Sequence, residues 1–84
     1  MLLTLDAGNT NLDLGLFEDN RLLAHGKVPT SRLGSLTDCH EVLADWLTRH
    51  AEDARPNGAA VGSVVAGLGA RLVDAAGGLC DGAV

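Results

Sequence analysis

The chain has 84 residues, 46% of them hydrophobic, with 11 glycines, 2 prolines and a formal net charge of −5 from 11 acidic against 6 basic side chains. That is the size of one small domain, apolar enough for a core and too apolar for a disordered segment. The acidic balance excludes the basic stripe of a nucleic-acid binder and suits an anionic membrane surface poorly.

Residues 1–7 read as a buried strand, followed at once by a turn signal at Gly8, Asn9 and Thr10. From 11 to 17 the pattern alternates, with Leu12, Leu14 and Leu16 on one face and Asn11, Asp13 and Gly15 on the other, so a second strand is expected. Glu18, Asp19 and Asn20 make the next turn, and residues 21–28 supply a third strand. Three strands joined by short turns form an antiparallel meander. Residues 29–34 read as a loop. Ser35, three residues before Asp38, resembles a capping box, and the spacing predicts a helix through His50. Its apolar face would carry Leu36, Cys39, Leu43, Trp46 and Leu47, with Asp38, Glu41 and Asp45 on the solvated side.

Residues 52–58 form a polar connector. The apolar run 59–65 is expected to be a parallel strand covered on both faces. A second helix is predicted over 67–76, with Leu68, Leu72 and Ala75 inward and Gly77 and Gly78 as its stop. The tail 79–84 reads as a linker or the start of another strand. The resulting order, β-β-β-α-β-α, gives an α/β mixed sheet with helices packed on it, an order shared by actin-like and ribonuclease H-like folds.

Cys39 and Cys80 lack CxxC spacing and read as reduced thiols of a cytoplasmic protein. No basic region precedes the first apolar residues, so no signal peptide is expected, and no run approaches the roughly 20 apolar residues of a membrane span.

The segment Asp6-Ala7-Gly8-Asn9-Thr10-Asn11 carries the chemistry. Gly8 lets an anion approach the backbone and permits a positive φ, and the amides of Gly8, Asn9 and Thr10 can converge on a phosphate. The Thr10 hydroxyl can donate to a phosphate oxygen, and Asp6 can hold Mg²⁺ through water. Asp, Gly and Asn are also the commonest turn residues, so the same segment reads as a plain hairpin. Two features favour chemistry. Asp6 follows an apolar run where a strand emerges from the core, a costly place for an idle carboxylate, and Thr10 and Asn11 keep the segment polar beyond the turn.

Asp6-x-Gly8-Asn9-Thr10 near the N-terminus resembles the first phosphate motif of type III pantothenate kinases, within the acetate and sugar kinase, Hsp70 and actin superfamily. The likeness continues through Asn11, Gly15-Leu16-Phe17, His25, Lys27, Thr30, Arg32, Ser35, Asp38 and Ser63-Val64-Val65, in matching order. Gly26 stands where the family usually has Trp, Ala66 and Gly67 replace prolines, and Asp13 puts a charge at a normally apolar strand position.

The resemblance implies an N-terminal actin-like kinase lobe over 1–84. The second lobe, with the catalytic base, the pantothenate pocket and most of the dimer contact, is expected to lie outside these 84 residues, and the chain is expected to be inactive alone. It further implies ATP-dependent phosphorylation of pantothenate, the opening step of coenzyme A synthesis, with Mg²⁺, a monovalent cation (K⁺ or NH₄⁺) and a homodimeric full-length protein. The binding residues implied are Asp6, Ala7, Gly8, Asn9, Thr10 and Asn11. Arg32 reads as a loop charge or as an anion-binding group on the substrate side. A non-catalytic fragment or partner-binding module, and another kinase of the same superfamily, are the competing readings.

A P-loop is excluded because no Walker-type Gly-x-x-x-x-Gly-Lys-Ser/Thr occurs, and the glycines from 62 to 69 miss the spacing of a dinucleotide loop. His25, His40 and His50 lack metal-ligand spacing.

Overall fold

The computed structural model describes residues 1–51 and 55–82. Strands β1 (Leu2–Ala7), β2 (Asn11–Glu18) and β3 (Arg21–Pro29) lead through a 3₁₀ turn (Thr30–Arg32) into helix α1 (Leu36–His50). Strand β4 (Gly58–Ser63) and helix α2 (Leu68–Gly77) follow. The expected order therefore holds. The sheet runs β3-β2-β1-β4, with β2 antiparallel to both β1 and β3, and β4 parallel to β1.

Period-two alternation decides which face of the sheet is covered. Leu3, Leu5 and Ala7 of β1 pair with Leu16, Leu14 and Leu12 of β2, and all six are buried. Against them pack Cys39, Val42, Leu43, Trp46 and Leu47 of α1 and Leu68, Leu72, Ala75 and Ala76 of α2, in one continuous core. The other face carries Leu2, Thr4 and Asp6 of β1 and Asp13 and Phe17 of β2, and no described helix lies over it. Ser35 caps α1 as expected, its Oγ accepting from the Asp38 amide at 3.0 Å. Asp19 takes φ 54° in the β2–β3 turn, a left-handed conformation that Asp tolerates better than most residues.

Four expectations are corrected. The first concerns β4, which ends at Ser63 rather than at 65 and is an edge strand with Ala60 and Gly62 exposed; Val64 beyond it is 76% exposed. A run of small apolar residues carries no alternation to reveal that one face is open. Second, Leu36 at the first position of α1 is exposed, and Val42 is buried on the inward face instead. Third, Pro29 belongs to β3 rather than to the following loop. Having no N–H to donate, it is tolerated on this outer strand opposite Asn11. Fourth, of the two readings of the tail, the strand is not formed over residues 79–82. The Leu79 and Cys80 amides both donate to the Ala76 carbonyl, and the Asp81 amide donates to that of Pro56 at 2.9 Å. Residues 52–54 of the expected connector and 83–84 of the expected tail lie outside the described residues.

Candidate functional site

The β1–β2 hairpin closes with the Gly8 amide donating to the Asn11 carbonyl at 2.9 Å. This corrects the expected cup of three amides, since closing the hairpin commits the first of them. Gly8 also lacks the positive φ that the sequence allowed, Gly67 being the only described glycine with one. Asn9 and Thr10 are exposed at the tip, and their amides donate to no other group among the described residues. The tip is held from the side by Thr30, whose hydroxyl donates to the Gly8 carbonyl at 2.8 Å and whose amide donates to the Thr10 carbonyl at 2.9 Å.

Asp6 is exposed on the open face of the sheet, so the expected cost of a carboxylate emerging from the core does not arise. Register places it in a row across four strands. Lys27 pairs with Asp13, Asp13 with Asp6, and Asp6 with Gly62. A Cβ built on Gly62 would lie 3.8 Å from Asp6 Oδ1, so the carboxylate sits beside bare backbone on that side. Like charges directly opposite on neighbouring strands repel. Lys27 Nζ stands 3.6 Å from Asp13 Oδ1, an exposed pair that offsets little of this repulsion. Two adjacent carboxylates in water suit a hard divalent cation that keeps much of its hydration shell, as Mg²⁺ does.

The other sequence candidates are dispersed. Ala7 is fully buried, so it offers the site only main chain, and its carbonyl accepts from the Val64 amide at 3.0 Å. Asn11 is half-buried at the start of β2. Arg32 lines an open groove of about 470 Å³ with Asp38, Glu41 and Asp45, on the α1 side of the 3₁₀ turn. Among the described residues no group of three His, Cys, Asp or Glu side chains could by itself hold a metal. Cys39 and Cys80 are free and buried, and burial pushes both thiols above their ordinary value.

Sequence reasoning missed three members of this region. Asp13 could have been found by counting outward from the Gly8–Asn11 closure, which pairs 7 with 12 and 6 with 13. Gly62 reaches Asp6 through the parallel β1–β4 register, a pairing between distant segments that no local pattern encodes. Thr30 is a partner of the turn only because β3 ends beside it.

A mixed four-stranded sheet in this order, with two helices packed on it, agrees with the N-terminal lobe of an actin-like ATPase. Residues 2–81 match the family model described as type III pantothenate kinase, and the chain belongs to that family. Among curated relatives, the type III pantothenate kinase of Dictyoglomus turgidum is 29% identical over 77 residues, covering 89% of this chain and 30% of that protein. That of Exiguobacterium sibiricum is 40% identical over 52 residues, 62% of this chain and 20% of the relative. The Myxococcus xanthus protein of the same name is 46% identical over 50 residues, 60% of this chain and 19% of the relative. The chain thus spans less than a third of the length of each.

Proposed function

We propose that this chain is the phosphate-receiving part of an N-terminal lobe in an enzyme that phosphorylates pantothenate with ATP, the first step of coenzyme A synthesis. One observation carries the reading: the β1–β2 turn presents the Asn9 and Thr10 amides and the Thr10 hydroxyl to solvent, with the Asp6 carboxylate exposed at the end of the adjoining strand. Phosphoryl transfer asks a protein chiefly to position groups and offset developing charge. Here the amides would orient phosphate oxygens. Asp6 would hold Mg²⁺ through water, with Asp13 adding negative charge beside it. The metal, when bound, neutralises phosphate charge. In line with the family likeness, the reading includes a monovalent-cation requirement, a homodimer and a cytoplasmic setting, with pantothenate recognition and the catalytic base supplied by residues outside these 84.

The test is pantothenate-dependent ADP formation by the complete gene product carrying this chain. Turnover that needs both pantothenate and Mg²⁺ supports the reading. Turnover only with a different acceptor would make the protein another kinase of the superfamily. ATP hydrolysis indifferent to every acceptor, or no turnover, would contradict it.

A further inference from the structure

We infer that Thr30 is a positioning residue for phosphate binding at the β1–β2 turn, an inference that rests on the function proposed above. The turn contributes main-chain donors, so its usefulness depends on how its peptide planes are oriented. In a trans peptide the carbonyl and the following N–H point in opposite directions. Holding the Gly8 carbonyl therefore fixes the direction of the Asn9 N–H. The Thr30 hydroxyl donates to that carbonyl at 2.8 Å, which directs the Asn9 N–H away from Thr30. The Thr30 amide holds the Thr10 carbonyl at 2.9 Å and so fixes the next peptide plane but one.

Both bonds come from one residue, and it stands immediately after the strand-ending Pro29. Pro29 lies opposite Asn11 in the β2–β3 register, which brings Thr30 level with the tip. Thr30 is half-buried, and its hydroxyl reaches a main-chain group in a segment 22 residues away. Among the described residues the Gly8 carbonyl accepts from no main-chain amide outside the regular elements. Without the hydroxyl that peptide can rotate, and the Asn9 N–H then points in a range of directions. Binding phosphate must afterwards fix it, which costs affinity for the ligand that uses it.

The test compares Thr30→Val, which keeps size and the main-chain bond but loses the hydroxyl, with Thr30→Ser, which keeps the hydroxyl. In the complete gene product Thr30→Val is expected to raise the KM for ATP about five- to tenfold, the scale of one hydrogen bond. The KM for pantothenate should stay within about twofold, and Thr30→Ser should restore the KM for ATP. An unchanged KM for ATP in Thr30→Val overturns the inference. So does a fall in kcat alone with both KM values intact, which is what a partly unfolded enzyme gives, and so does a serine variant as impaired as the valine one. If the unmodified protein shows no pantothenate-dependent turnover, the proposed function fails first and takes the inference with it.

Discussion

Trp46 of α1 lies directly over Gly26 of β3: a Cβ built on Gly26 would meet the indole Nε1 well inside van der Waals contact, with Cε2 at 3.2 Å and Cδ1 at 3.3 Å. Gly26 pairs with the buried Leu14 and faces the helices. The indole thus fills the space a side chain on β3 would occupy. An aromatic ring from the helix therefore occupies the core beside β3. Adding a methyl at 26 overpacks this contact, and Gly26→Ala is expected to lose about 1–3 kcal/mol. Trp46→Ala should cost about 3–5 kcal/mol. Urea unfolding followed by circular dichroism measures both. In the double variant the alanine Cβ no longer meets the indole, so its cost should be less than the sum of the two.

Asp6→Asn should leave the fold intact, because the side chain is exposed and makes no hydrogen bond or ion pair with the described residues. Its stability change should lie within about 0.5 kcal/mol. Turnover by the complete gene product should nevertheless fall, on the order of 10²-fold or more, as expected when a preorganised electrostatic group is lost from a transition state. Normal turnover in the variant would remove Asp6 from the mechanism.

Ser35 tests the helix start in isolation from the site. Its Oγ accepts from the Asp38 amide at 3.0 Å, satisfying one of the unpaired donors at the N-terminus of α1. Ser35→Ala should cost about 1 kcal/mol, and Ser35→Asp should keep most of the stability. Thermal unfolding of the three proteins decides it.

The buried thiols predict an alkaline effect. Both Cys39 and Cys80 are raised above their ordinary value of 9.0, with burial the largest cause, because the apolar interior disfavours the thiolate. The unfolded chain releases these protons first. The contribution to stability is therefore complete below 9.0 and is lost as pH rises through the folded-state values. Unfolding midpoints scanned from neutral to alkaline pH should fall over that range. Both cysteines should resist alkylation at neutral pH until the protein is denatured.

Much of the fold was legible because its signals are local. Leu12, Leu14 and Leu16 alternate, and Ser35 with Asp38 marks the helix start. Leu68, Leu72 and Ala75 repeat at helical spacing, and all three are buried. What escaped depends on contacts between distant segments. The run from Ala59 to Val65 is apolar whether one face or two are covered, and only its place at the sheet edge decides. Similarly, the motif from Asp6 to Thr10 showed which residues form the turn. It could not show that the Gly8 amide closes the hairpin, or that Thr30, from the far end of β3, holds two of the turn's carbonyls.

Whether the turn receives nucleotide phosphates is read most directly from the backbone amide resonances of Asn9 and Thr10 in the complete gene product during a titration with MgATP. Both should move saturably, at concentrations matching the KM for ATP, and Asp6→Asn should shift the titration to higher MgATP. Saturation of catalysis by ATP while those two resonances stay fixed would place the phosphates elsewhere and contradict the assignment.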